Sequence, residues 1–108
     1  MNSCLQRILV NGEWKASKGP DTFYPVSPLD GDPTGEVYPV SNWPDIEEAL
    51  EAGYRAARKL VELDAQRVAD FLNGFADRIE EQKDEIVAMA NKETALPSAP
   101  RLADVELP

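Results

Sequence analysis

A tight turn near the start of the chain constrains its fold more than any other feature. Residues 8–14 read Ile-Leu-Val-Asn-Gly-Glu-Trp, so that Asn11-Gly12 lies between two strand-like flanks. Asn-Gly in such a setting is typical of a type I′ turn, because both central residues of that turn need a positive φ. The sequence therefore predicts, at the start of the fold, a β-hairpin whose turn has two residues.

Short strands and turns are predicted to continue this β region over residues 8–40. Residues 22–26 and 36–40 are strand candidates, and the connection over 27–35 is rich in Asp-Gly and Asp-Pro turn signals. Pro25 and Pro39 each remove a backbone donor from these strands. We therefore expect both strands to lie at sheet edges or to be irregular.

Two long helices are predicted after the β region. Asn42 is a good N-cap for a first helix over residues 43–62, and Asp64 is an N-cap for a second helix over residues 65–94. Residues 97–108 are expected to be irregular or to begin a further helix. The fold class is thus α+β, with a hairpin and short edge strands followed by two long helices. A chain of 108 residues has room for one domain, which we expect to be incomplete.

The apolar stripes of both helices are wider than one covered side requires. In the second helix the stripe spans roughly 160°, whereas a helix covered on one side needs about 100°. We infer that the extra apolar width meets something outside these 108 residues. The alternative is a self-contained pair of helices with a few exposed apolar side chains. On the first interpretation, the expected contact residues include Phe71, Phe75 and Met89.

Composition excludes several classes of function. The chain has 20 acidic and 11 basic residues and a net charge of −9, which disfavours nucleic acid and anionic membranes as partners. The absence of histidine removes the usual general base and most zinc sites. Cys4 is the only cysteine, so no intrachain disulfide can form. No signal peptide or long apolar run is present, and we expect a soluble, cytoplasmic protein.

Few residues are candidates for chemistry. Cys4 has no histidine to activate it, so we interpret it as a free, inert thiol. Asp30 and Asp32 could hold a divalent cation, but they lie in turn dipeptides. The acidic run over residues 80–85 could bind a basic partner, although a solvated helix face is its default interpretation. No glycine-rich phosphate-binding pattern is present. We therefore assign no catalytic, cofactor-binding or metal residue.

Four motifs, in this order and spacing, resemble the start of an aldehyde dehydrogenase. They are Ile8–Trp14, the turn segment Ser27–Val37 with an inserted Asp-Gly-Asp-Pro, the helix segment Ile46–Gly53, and Glu93–Pro97. The last motif reads Glu-Thr-Ala-Leu-Pro where the family commonly has Glu-Thr-Gly-Lys-Pro. This departure is similar to the branch that oxidises 2-oxoglutarate semialdehyde and fatty aldehydes, often with NADP.

The resemblance implies a parent enzyme that oxidises an aldehyde to a carboxylic acid with NAD or NADP, through a cysteine thiohemiacetal. The family's catalytic cysteine, glutamate and asparagine and its nucleotide-binding strands all lie beyond position 108, and Cys4 does not match the family cysteine. The matching region of the family is an edge of the α/β coenzyme-binding domain, whose helices pack on a parallel sheet. We therefore expect this chain to be inactive alone and to bind no coenzyme. Its partner is then the remainder of the parent chain or a second copy. The alternative is a stand-alone acidic helical module that binds a protein partner.

Overall fold

Short antiparallel strands come first in the chain, and helices follow them. The computed structural model describes residues 4–106. These residues group into two compact units. The first contains the residues up to Pro25 together with Gly35–Asp64, and the second contains Val26–Thr34 together with the residues from Ala65 onward. The predicted α+β class is confirmed.

The predicted hairpin is confirmed at the level of its backbone angles. Strand β1 (Ile8–Val10) pairs antiparallel with β2 (Glu13–Lys15). The two turn residues, Asn11 and Gly12, have φ values of 53° and 80°. Both values lie in the left-handed region, which asparagine and glycine tolerate better than other residues do. The turn chemistry therefore sets this register.

A second antiparallel pair joins β3 (Thr22–Phe23) to β4 (Tyr38–Pro39). Each strand is two residues long, shorter than the five-residue candidates that the sequence predicts. The Phe23 and Tyr38 rings stack across the pair with centroids 5.6 Å apart. The pair stands as a two-stranded sheet, so Pro39 lies in an edge strand, as the missing backbone donor of proline requires.

Helix α1 (Trp43–Leu60) begins at the predicted cap. The side-chain oxygen of Asn42 accepts a hydrogen bond from the Asp45 backbone N–H at 3.3 Å, which satisfies one of the unpaired donors of the first turn. At the other end, the Leu63 N–H donates to the Leu60 carbonyl at 3.2 Å. This tighter turn closes the helix two residues before the predicted end at residue 62.

The first unit has a thin core in which β1 lies against α1. Val10 and Ala52 are its buried apolar side chains, with 7% and 8% of their surface exposed. The carboxylate-bearing side chain of Asp45 is buried more deeply, at 2%. A polar residue at this depth must have hydrogen-bond partners, because an unpaired buried polar group costs stability.

The second unit contains two helices where the sequence predicts one over residues 65–94. They are α2 (Ala65–Glu81) and α3 (Lys83–Thr94), and Gln82 separates them with φ −103° and ψ 11°. The Gln82 N–H is shared between the carbonyls of Arg78 and Ile79 at 3.2 Å each. The helix is therefore interrupted at Gln82, and the single helix predicted over residues 65–94 is wrong.

Charge placement favours the break at Gln82. In a continuous helix, Glu80 would face Asp84 and Glu81 would face Glu85, and like charges four residues apart destabilise a helix. With a new helix starting at residue 83, Asp84 and Glu85 lie in its first turn. There the positive end of the helix dipole favours acidic side chains.

Helix α3 ends in a left-handed residue that is not glycine. Ala95 has φ 58° and its N–H donates to the Asn91 carbonyl at 2.8 Å. The left-handed conformation is costly for residues that carry a Cβ. This geometry turns the chain away from the helix axis just before Pro97.

The segment Ser98–Glu106, which is helical apart from a kink at Ala99 (φ −133°, ψ 141°), packs against α3. Its Leu102 is 4% exposed, and Val87 of α3 is 8% exposed. These two side chains are the buried apolar residues of the second unit. Residues 107–108, the end of the predicted tail, lie outside the described residues. None of the helices in the described part of the chain has both the length and the apolar character that a bilayer crossing requires.

Candidate functional site

An open apolar groove runs between β1 and α1 in the first unit. It has a volume of 360 Å³. Three of its larger side chains, Leu9, Ile46 and Leu50, are 55%, 40% and 61% exposed. An apolar surface of this kind on a small unit is typical of a binding surface. The residues that line this β1–α1 groove are Ile8, Leu9, Val10, Ser41, Asp45, Ile46, Ala49 and Leu50.

A second apolar surface lies along α2. Phe71 and Phe75 are 69% and 59% exposed, and their rings stack with centroids 6.4 Å apart. At about 100° per residue, Leu72 and Ile79 fall within roughly 100° of them around the helix. We call these four residues the α2 face. No residue of α2 is buried, so the helix presents its apolar stripe without a cover from its own unit.

The three expected contact residues are all accessible. Met89 of α3 is 40% exposed, so that Phe71, Phe75 and Met89 each offer apolar surface. Cover of these side chains within the chain would have contradicted the inference of an outside partner. That they bind a partner stays a prediction.

The buried carboxylate of Asp45 connects α1 to the loop that follows β2. The Ser17 hydroxyl donates to Asp45 Oδ2 at 2.6 Å, and the Lys18 backbone N–H donates to the same oxygen at 3.0 Å. The hydrogen bond from Ser17 is the main cause that lowers the pKa of Asp45, and the backbone bond from Lys18 acts in the same direction. Both hydrogen bonds stabilise the ionised carboxylate and attach the loop to α1.

One helical turn further along α1, Glu48 forms ion pairs with two lysines, Lys15 and Lys18. The Lys15 ammonium hydrogen-bonds to Glu48, and the Lys18 ammonium lies 3.5 Å from it. The hydrogen bond from Lys15 is the main cause that lowers the pKa of Glu48. The Glu48 side chain is 38% exposed, so solvent screens these ion pairs and each contributes little stability.

The candidates for chemistry that the sequence raised lie elsewhere. The Cys4 thiol is exposed, and its sulfur is 3.9 Å from the Leu5 carbonyl oxygen. The Asp30 carboxylate accepts a hydrogen bond from the Asp32 N–H at 2.9 Å, which is the geometry of an Asx turn. Within residues 4–106, no group of three or more possible ligands is placed to hold a metal ion.

The acidic run over residues 80–85 is split by the helix break. Arg78 pairs with Glu81 at 2.9 Å, and both side chains are more than half exposed. The carboxylates of the run are therefore divided between the end of α2 and the start of α3. This arrangement agrees with a solvated surface.

Sequence reasoning did not find the contact between Ser17 and Asp45. The two residues are 28 positions apart, and neither helical periodicity nor a capping pattern relates residues at that distance. Asp45 itself carried a signal, because it follows the Asn42 cap by three positions and lies in the first turn of α1. This position relates Asp45 to the N-terminus of the helix, whereas its contact with Ser17 depends on the fold.

The sequence of the chain matches a known protein family over most of its length. The profile of the aldehyde dehydrogenase family matches residues 14–107. The chain is also 31% identical, over 88 residues, to the alpha-ketoglutaric semialdehyde dehydrogenase of Acinetobacter baylyi. That match covers 82% of this chain and 16% of the relative, so the chain spans about a sixth of the relative's length. No solved structure matches the chain significantly.

Proposed function

This chain belongs to the aldehyde dehydrogenase family, and on that premise we propose that it is the amino-terminal part of a longer NAD(P)-dependent aldehyde dehydrogenase. One observation carries the proposal: the family profile matches residues 14–107, whereas the matched part is 16% of the relative's length. The parent would oxidise an aldehyde to a carboxylic acid. A bound NAD or NADP would supply the hydride acceptor for that oxidation.

The relative suggests the class of aldehyde. Its name specifies alpha-ketoglutaric semialdehyde, and the Ala95-Leu96 variant of the last motif is similar to that same branch of the family. We propose that the parent accepts a semialdehyde, with alpha-ketoglutaric semialdehyde as the first substrate to assay.

The N-termini of α1 and α3 do not fit the phosphates of a dinucleotide. Such phosphates bind helix N-termini through free backbone N–H groups. At the start of α1, Pro44 has no N–H, the Asp45 N–H is bound by Asn42, and the Asp45 carboxylate would repel an anion. At the start of α3, Asp84 and Glu85 would do the same. We therefore assign no phosphate contact to these two helix N-termini.

The role that we propose for this chain is docking. The β1–α1 groove and the α2 face are apolar and accessible, and burial of such surface contributes about 25 cal/mol per Å². The proposed occupant is the remainder of the parent chain, because the relative is about six times as long as the matched part. On this proposal the 108 residues alone are inactive.

A comparison of two chain lengths tests the activity. The 108-residue chain and a chain translated from the same locus beyond codon 108 are each assayed with alpha-ketoglutaric semialdehyde and either NAD or NADP. We expect coenzyme reduction by the longer chain alone. Turnover by the 108 residues, or a downstream sequence without the family's cysteine region, would contradict the proposal.

A binding experiment tests the docking role. The 108 residues and the remainder of the parent are co-expressed as separate chains and co-purified. We expect the double substitution Phe71→Ser and Phe75→Ser to reduce recovery of the pair. Asp77→Ser is the matched control, because Asp77 is exposed on the same helix and lies about 120° from Phe71 and about 160° from Phe75 around the helix axis. Equal recovery of the two variants would count against docking through the α2 face.

A further inference from the structure

The loop after β2 is attached to α1 by a set of contacts that the proposed function does not use. Residues 15–19 run beside the first two turns of α1. Lys15, Ser17 and Lys18 each bind a carboxylate of that helix, either Asp45 or Glu48. We call residues 15–19 the strap.

We propose that the strap is a conformational device, in which Asp45 acts as a positioning residue that holds the hairpin on α1, and that the strap and hairpin open together as one local unit. This inference concerns the first unit by itself. It does not depend on the identity of the parent enzyme.

The hydrogen bonds of Asp45 make the closed strap specific. Its buried carboxylate accepts the Ser17 hydroxyl and the Lys18 N–H, while the Ser17 oxygen also accepts the Gly19 N–H at 3.0 Å. These bonds form a connected set, so loss of one leaves a buried polar group without its partner. The strap should therefore open as a whole.

Gly19 fixes the far end of the strap by close approach. A Cβ built at this position would lie 1.9 Å from the Val40 carbonyl oxygen, closer than any side chain tolerates. Two residues further on, the Asp21 carbonyl accepts the Val40 N–H at 2.8 Å. The strap is thus held at one end by backbone contact with residue 40 and along its length by Asp45.

Opening of the strap would release the hairpin because the two are continuous in the chain. Lys15 is both the last residue of β2 and the first residue of the strap. The hairpin also contacts α1 through the thin apolar packing in which Val10 is buried. Few buried contacts and a small hydrogen-bonded set are typical of a segment that opens locally below the global unfolding free energy.

Native-state hydrogen exchange on the 108-residue chain tests this proposal. Ser17→Ala removes the hydroxyl donor, and Asp45→Asn removes the charge and one acceptor oxygen. For both variants we expect the amides of Lys18, Gly19, β1 and β2 to exchange at least about ten-fold faster. The amides of α3, which belongs to the other unit, should keep their rates.

Two control variants make the result specific. Ser17→Thr keeps the hydroxyl and should retain the protection of the strap amides. Asp70→Asn alters an exposed carboxylate that pairs with Gln66 on α2, and it should leave the hairpin unaffected. Because Ser17→Ala preserves the Asp45 carboxylate, it remains informative if Asp45→Asn fails to fold.

The proposal fails on either of two results. Faster exchange at Lys18 with unchanged amides in β1 and β2 would show that the strap does not hold the hairpin. Uniformly faster exchange in both units would show global destabilisation in place of a local opening.

Discussion

At Ala95 the backbone adopts φ 58° to end α3, which is a position that glycine usually fills at a helix C-terminus. We predict that Ala95→Gly raises the free energy of unfolding by about 0.5–1 kcal/mol. The left-handed conformation costs a residue with a Cβ roughly 1–2 kcal/mol, and the greater freedom of glycine in the unfolded chain offsets part of that gain. Urea unfolding followed by circular dichroism measures the difference.

A second glycine substitution in the same helix is the control for this prediction. Ala88 is exposed and lies within α3. Ala88→Gly should lower the free energy of unfolding by about 1 kcal/mol, because glycine disfavours a helix interior. Equal effects of the two substitutions would contradict the assignment of strain to residue 95.

The buried Asp45 predicts how the stability of the first unit depends on pH. Its pKa is lowered from the ordinary value of 3.8, chiefly by the Ser17 hydroxyl. A lowered carboxyl pKa contributes stability that is fully present above the unfolded-state value and is lost as pH falls through the folded-state value. Glu48, whose pKa is lowered from 4.5 chiefly by Lys15, contributes with the same sign.

We therefore expect the contribution of Asp45 and Glu48 to the free energy of unfolding to be constant near neutral pH. This contribution should decrease as the pH falls below about 4.5. Ser17→Ala should reduce that fall, because it brings the pKa of Asp45 closer to its unfolded value. The intrinsic fluorescence of Trp14 and Trp43, recorded through an acid titration, reports the transition. An identical acid transition in the variant would contradict the role of Ser17.

At the scale of elements, the sequence predicted those turns and helix caps that depend only on neighbouring residues. The Asn11-Gly12 turn and the Asn42 cap are each decided within four positions, and both are present in the structure. The break at Gln82 depends on a balance between helix continuity and like-charge repulsion, which an apolar stripe does not reveal. The Ser17–Asp45 contact depends on the fold and has no local signal.

The Asn42 cap supports a prediction at this scale. Asn42→Ala should lower the free energy of unfolding by about 1 kcal/mol, because the Asp45 N–H loses its partner in the first turn of α1. Asn42→Ser keeps a capping oxygen and should recover most of the loss. Thermal unfolding of the three chains checks the order, and equal melting temperatures for the alanine and serine variants would contradict a capping role.

At the scale of the whole molecule, the described residues bury little apolar surface. Four apolar side chains among residues 4–106 are buried, two in each unit: Val10, Ala52, Val87 and Leu102. The large side chains of the α2 face and most of those of the β1–α1 groove stay accessible. A small domain has a marginal stability even when its core is complete. These units are therefore expected to gain stability from a surface that covers them.

The uncovered α2 face predicts how the 108 residues behave in isolation. Its apolar side chains favour self-association, whereas the net charge of −9 opposes it. Salt screens that repulsion, with a Debye length that shortens from about 10 Å at 0.1 M to about 3 Å at 1 M. We therefore predict that the mean mass from light scattering rises with salt concentration, and that the chain binds a hydrophobic dye.

The double substitution Phe71→Ser and Phe75→Ser should abolish the rise with salt and reduce dye binding, because it removes both aromatic rings of α2, which are exposed. Asp77→Ser removes one negative charge from the same helix and should slightly increase association at low salt. Helix content from circular dichroism verifies that both variants stay folded. A monomer at all salt concentrations that binds no dye would mean that the α2 face is covered in solution, and it would contradict docking as the role of that face.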